Sequence, residues 1–518
     1  MIIFVPSWKD TASIDGGTDD LIGPIRSFIL SEEKYQILVS DYVPNLRYFL
    51  HRFDLLESNY FSIFDELQGF YGLEQKAVDF KNINFPCEVI FTYTPRMILA
   101  FQNNVLVGKI LLGEGSQVSE VHHFRESQLQ MIDIYDDRGF ISSKKFYRNN
   151  ALEYTSYLDS AGEEIFVQFA WRGDCVVNLK NNHGLKHEYY DSIEQIQFEC
   201  IESKLSDQRS QQLVVTATND NLEYINNLCW KHQIILSVSQ THLKKTYEYN
   251  SRFKDIVTNL KKIFVDSSRQ FDDFIELGIP KDKLRKTSSF DTRLTLSITQ
   301  ELKEEIVLLD IRRLNQSEYS DVLISIISYF EKERIAEETS RKFKLIIRTL
   351  PQDKQVILEY IDVIFLNKFP KEMSKIQVGE ARDIDNIVLK KSLSKIDIVQ
   401  ELRTSIVVRD MNSEEELLKT IHQTRLVIDL AEEPDLFTQI VAISAGIPQI
   451  NSTASDYVTH KENGWILADW SELIHGLDYY LSNLSHWQQA RTFSIDKIKK
   501  YSGYNLCKSI LEVFLRGE

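Results

Sequence analysis

The side chains able to do chemistry are scattered along this chain, and few of them fall into a working arrangement. Asp383-Ile384-Asp385 together with Asp397 offers D-x-D-like carboxylates that could hold a divalent cation. Short acidic pairs are common in a chain with 76 Asp and Glu, so solvated charge explains them better. His122-His123 lacks the spacing that puts two imidazoles on one helix face, and it belongs on a strand or loop. There is no G-x-S-x-G elbow and no Cys/His arrangement for a covalent nucleophile. Trp8, Trp171, Trp230, Trp465, Trp470 and Trp487 could stack on sugar faces, but core packing is the expectation for each. No cofactor and no metal site is expected.

Composition narrows the function further. The 518 residues allow two or three domains, and 43% hydrophobic with 26% charged is the balance of a globular protein with a real core. A net charge of −16 argues against a nucleic-acid partner, which needs clustered Lys and Arg to neutralise phosphates. Glycine 19 and proline 10 together fall below half the usual share of about 12%, so long linkers and glycine-rich phosphate loops are in short supply. Cys87, Cys175, Cys200, Cys229 and Cys507 are odd in number and contain no C-x-x-C, which suits a reducing compartment. No apolar run approaches the ~18–20 residues of a transmembrane segment. The expected location is the cytosol.

The elements that must position any site read in blocks. Apolar runs at 2–5 and 35–39 predict strands flanking a helix, with Thr18 or Gly23-Pro24 as its start, the signature of a parallel α/β unit. From about residue 85 to 200 the period changes to β-alternation. Three D/N-x-x-G turns recur at near-equal intervals, at 136–139, 159–162 and 181–184, which predicts a meander of hairpins. Strands at 213–216, 234–238 and 262–265 then resume the α/β pattern. From about residue 293 it alternates more clearly, with strands at 306–311, 345–348, 406–408 and 426–430 and a helix at 317–334. Ser413 and Glu416 read as a capping box. The fold class is α/β: a first Rossmann-like domain in two parts, 1–84 and 201–292, an inserted antiparallel β domain, 85–200, and a second Rossmann-like domain with C-terminal helices, 293–518.

The stretch from Asp435 to Ile450 followed by Asn463-Gly464-Trp465-Ile466-Leu467 resembles the C-terminal half of GT-B glycosyltransferases, with their E-x7-E-A-x3-G-x-P and N-G-x-L motifs. Gly278-Ile279-Pro280-Lys281-Asp282-Lys283-Leu284 resembles the same enzymes near their interdomain crossover. The resemblance implies a donor-sugar pocket, and at its motif positions this chain departs from the pattern. Glu433 stands at the first glutamate, but Val441 holds the second, and a valine accepts no hydrogen bond from a ribose hydroxyl. In the family's G-R-L-x3-K-G, Arg313 remains, while Glu318 replaces the lysine and Tyr319 the glycine. Lysine to glutamate moves the local charge by two units toward repelling a diphosphate. The pocket of Arg313, Glu318, Glu433 and Val441 is expected to be vestigial, with no catalytic residue in it.

The opening Phe4-Val5-Pro6-Ser7-Trp8, with Asp19-Asp20 and Ile25-Arg26-Ser27-Phe28, resembles the start of the accessory Sec system proteins, in particular the first of the Asp set. That resemblance implies a non-enzymatic component of the machinery that exports serine-rich-repeat adhesins. It implies as partners the other proteins of the Asp set, the accessory Sec motor ATPase and the glycosylated adhesin, with any membrane contact peripheral and made through that machinery. It also directs attention to the cleft between the halves as a glycan site and to the meander as a surface for substrate or partner. The alternative is an active retaining GT-B glycosyltransferase acting on the adhesin, and Glu318 and Val441 are the residues that separate the two.

Overall fold

The structure is a computed structural model. It describes residues 1–9, 19–74, 76, 78–86, 88–113, 115–205, 210–239, 256–288, 290, 294–335, 342–377, 394–411 and 413–515. Two compact units emerge, one of residues 1–14, 19–289 and 507–518, the other of 15–18 and 290–506.

In the first unit seven parallel strands build one sheet. Ile2–Val5 lies inside it, with Tyr35–Val39 and then Tyr60–Ser62 on one side and Gln212–Thr216, Gln233–Val238, Lys262–Val265 and Leu284–Lys286 following on the other. Ile2, Ile3, Phe4 and Val5 are all buried, as expected of a central strand covered by helices on both faces. The first helix runs Ile22–Leu30, so Pro24 is its third residue. Asp19 does the capping work, its Oδ1 accepting from the backbone N–H groups of Leu21 (2.9 Å) and Ile22 (2.7 Å). Thr18 lies outside the described residues.

The meander is a ten-stranded antiparallel sheet running in chain order from Ile90–Tyr93 at one edge to Tyr189–Tyr190 at the other. Gly139, Gly162 and Gly184 take φ of +89°, +83° and +88°, the left-handed backbone the D/N-x-x-G turns require. The first two turns face the parallel sheet's own domain. Asp137 N–H donates to Pro44 O (2.8 Å), and Ser160 N–H donates to Gln68 O (3.0 Å). The opposite ends of the hairpins turn tightly at Asn103-Asn104, Glu126-Ser127 and Asn149-Asn150, each with positive φ at both residues, as type I′ turns demand. The sheet is therefore a paddle, held at its glycine-turn end.

Arginines make the grip. Arg47, from helix Leu46–Arg52, donates to Asp65 (2.6 Å), Asp136 (2.9 Å) and Asp137 (2.6 Å). Arg138, from the turn itself, donates back to Asp65 (2.8 Å) and to the carbonyl of Phe70 (2.8 Å). Gln68 closes the joint by donating to the carbonyls of Ser142 and Leu158, both at 2.7 Å.

In the second unit six parallel strands lie in the spatial order Ile406–Arg409, Lys342–Arg348, Glu304–Asp310, Thr424–Asp429, Gln449–Asn451, Gly464–Ile466. Numbered along the chain that order is 3-2-1-4-5-6, the Rossmann arrangement. Helix Gln316–Ile335 buries Val322, Leu323, Ile326, Ile327 and Phe330 against it, the face the apolar spacing predicts. Ser413 caps helix Glu414–Gln423 by accepting from the N–H of Glu416 (3.2 Å). Gly446, at φ +69°, ends helix Leu436–Ala445 just before strand Gln449–Asn451.

Candidate functional site

A doubly wound sheet binds ligands beyond the carboxyl ends of its strands, at the point where the strand order reverses. In the second unit that point lies between strands Glu304–Asp310 and Thr424–Asp429, and the last residue of each is an aspartate. Arg348 ends the strand next to Asp310.

These strand ends are joined into one ion-pair network. Arg312, just past its strand, donates to Asp310 (2.7 Å) and Asp435 (2.5 Å). Arg348, 6% exposed, donates through Nη1 to Asp310 (3.3 Å), Asp435 (3.0 Å) and Thr438 Oγ1 (2.9 Å). Burial alone would raise the Asp435 carboxyl, but Arg312, Arg348 and Arg313 outweigh it and hold it down at about 2. Asp429 goes the other way. Burial and the neighbouring Asp310 charge push it up to about 7, against the backbone N–H groups of Ala431 and Asp435 that its oxygens accept.

The opposed shifts set a pH dependence. Asp429 binds its proton more tightly folded than unfolded, so the stability this gives is full below about pH 4 and is lost as pH rises through about 7. Asp435 contributes stability above about pH 4 that is lost as pH falls toward 2. The unfolding free energy of the wild type, read from urea titrations, is expected to fall as pH rises from about 4 to about 7, at up to ~1.4 kcal/mol per pH unit. Asp429→Asn flattens that slope. An equal slope in the variant would remove Asp429 as its source.

The four pocket positions stand as follows. Arg313 donates to the main-chain carbonyl of Glu433 (2.7 Å), so the structure brings these two together. Glu318 turns back on its own helix: its Oε2 accepts from Asn315 N–H (2.8 Å) while Asn315 Oδ1 accepts from Glu318 N–H (3.1 Å), a reciprocal capping box. Tyr319 is buried edge-on against Tyr360. Val441 is buried in an apolar cluster with Ile440, Ala442 and Ile443.

Other candidates resolve plainly. Asp397 is the third helical residue of a capping box with Ser394, which explains its carboxylate without a cation. Asp383-Ile384-Asp385 lies outside the described residues. His122 and His123 lie on strand Val118–Arg125, each 2.8 Å from a carboxylate, Glu120 and Asp133 respectively. Trp8 and Trp487 are core residues, and Trp465 and Trp470 pack against the second unit's core. Trp171 and Trp230 overturn the expectation of core packing, being 71% and 74% exposed. Trp171 lies in a turn with the Arg172 guanidinium 4.0 Å from its ring centroid, and Trp230 caps the end of helix Leu222–Cys229. Asp310, Arg348 and Asp429 went unpredicted as site residues, and the available signal was a charge closing an apolar strand run; Asp435, also unpredicted, precedes helix Leu436–Ala445.

Residues 5–516 match the model of one family, the accessory Sec system proteins that are first of the Asp set. The chain belongs to that family. It is 29% identical over 504 residues to the corresponding protein of Streptococcus gordonii, covering 95% of this chain and 91% of the relative. Two solved complexes contain similar chains. One, the Glycosylation Associate Protein (Gap123) complex of Streptococcus agalactiae, gives a TM-score of 0.81 at 27% identity over 99% of this chain and 100% of the other. The second, accessory secretory protein 1, 2 and 3 of Streptococcus pneumoniae, gives 0.77 at 25% identity over 100% and 99%. The pneumococcal O-GlcNAc transferase GtfA, solved with UDP and GlcNAc, is 10% identical with a TM-score of 0.66 over 99% of each chain. That likeness establishes the fold, which is GT-B. The chain is an accessory Sec component built on a glycosyltransferase frame.

Proposed function

We propose that this protein is a non-catalytic scaffold of accessory Sec export, which binds the other proteins of its set, the accessory motor ATPase and the glycosylated serine-rich-repeat adhesin. The observation that carries the reading is the state of the strand ends in the second unit. Arg313 is spent on a main-chain carbonyl, Glu318 on its own helix cap, and Val441 on the core. The arginines beside them, half-buried Arg312 and buried Arg348, are matched by Asp310 and Asp435. A nucleotide diphosphate entering there would have to displace these carboxylates from their arginines, and it would leave charges unpaired in a buried place. The solved complexes of three accessory proteins support partner binding, because similar chains span their whole length in them.

Calorimetry with UDP-GlcNAc and UDP-Glc tests the non-catalytic part. The expected result is no binding at micromolar nucleotide sugar and no transfer to an adhesin peptide. Micromolar affinity or transfer would establish an active glycosyltransferase instead.

A further inference from the structure

The paddle has one edge that natural sheets ordinarily avoid. Among the described residues, strand Ile90–Tyr93 pairs on one side only, with Met97–Gln102. In the hairpin that joins them Thr94 N–H donates to Met97 O (2.9 Å), which makes 94 and 97 a hydrogen-bonded pair. By the antiparallel alternation Thr92 and Leu99 form the next such pair. Phe91 and Tyr93 therefore turn their N–H and C=O groups away from the sheet. Edge strands are usually blunted by charge, proline or a covering segment. This one carries no charge from residue 89 to 94, and Ile90 and Tyr93 stand 71% and 62% exposed.

We propose that this edge is the docking site for an extended strand of another accessory Sec protein, which adds antiparallel to Ile90–Tyr93 as an eleventh strand of the paddle. The inference rests on the partner-binding reading above. Strand addition takes affinity from main-chain hydrogen bonds and specificity from alternate side chains, and the edge supplies both. Its outward backbone groups supply the bonds, and Ile90 and Tyr93 supply the apolar contact. The partner strand is uncharged where it faces residues 89–94, which hold no group to pair a charge. A second copy of this chain fits less well. Four residues against four bury well under the roughly 1,000 Å² a stable interface needs, and two copies each at −16 repel. A folded partner can continue past the strand and supply the remaining area.

The test co-expresses the full chain with accessory secretory proteins 2 and 3 of the same bacterium and follows amide exchange and affinity. Phe91 and Tyr93 amides are expected to gain protection only in the complex. Tyr93→Pro removes one outward N–H without touching the inner ladder, and Ile90→Lys places a charge on the edge. Each is expected to weaken partner binding about tenfold, with the melting temperature of the isolated chain unchanged. Wild-type affinity in both variants would overturn the edge assignment and leave the scaffold reading intact. So would protection that appears with chain concentration alone, or with the adhesin alone. Failure of the wild type to bind either accessory protein would overturn the partner reading and the edge with it.

Discussion

Arg47→Met is expected to destabilise the first unit by about 3–5 kcal/mol, the usual consequence of removing one partner from a buried ionic cluster. Arg47 and Arg138 are two cations facing Asp65, Asp136 and Asp137, all three of them buried. Methionine keeps the aliphatic stem and removes the guanidinium. Asp137 then loses the Arg47 guanidinium, although the main-chain N–H groups of residues 47 and 48 still donate to it. Asp65 and Asp136 are left to Arg138 alone. The loss falls on the joint between the paddle and the parallel sheet, so exchange of the Asp137 and Ser160 amides, which bond across that joint, should accelerate first. Adding Asp137→Asn to Arg47→Met leaves two buried carboxylates in place of three for Arg138 to balance, and should recover part of the loss. A change below about 1 kcal/mol in the single variant would mean that Gln68 and the apolar contacts hold the paddle without the arginine.

That joint also shows where the sequence was readable. Residues 2–5, 35–39 and 262–265 are strands to the residue, because parallel strands buried on both faces leave unbroken apolar runs. The D/N-x-x-G turns were readable because only a left-handed backbone explains glycine in that register. Which way those turns face was not, since Arg47 finds its partners about 90 positions along the chain. No local spacing records a contact at that separation. The free turns at Asn103-Asn104 and Asn149-Asn150 did carry a local signal, a residue pair tolerant of positive φ.

Within the site the motif positions assign Glu318 only a repulsive charge. Its capping role was written in the Asn315-to-Glu318 spacing. The aspartates and the arginine that close the strands lie outside the motifs, and only the parallel register places them side by side.

Arg348→Met is the corresponding experiment in the second unit, again with an expected loss of about 3–5 kcal/mol. The guanidinium is nearly inaccessible and serves Asp310, Asp435 and Thr438 together. Without it Arg312 alone faces both carboxylates, and Asp435 loses one of the cations that hold its carboxyl low. The acid-side loss of stability should therefore be smaller in the variant and end at a higher pH, because a folded carboxyl less depressed differs less from the unfolded one. The experiment also separates the two readings of the site. An arginine kept for a donor phosphate would leave the apo protein nearly as stable without it, and UDP-GlcNAc would raise the wild-type melting temperature but not the variant's. An arginine kept to neutralise its neighbours gives the large loss in the absence of any nucleotide, and UDP-GlcNAc moves neither protein. The second pattern is expected, because Asp310 and Asp435 already lie within hydrogen-bond reach of Arg348.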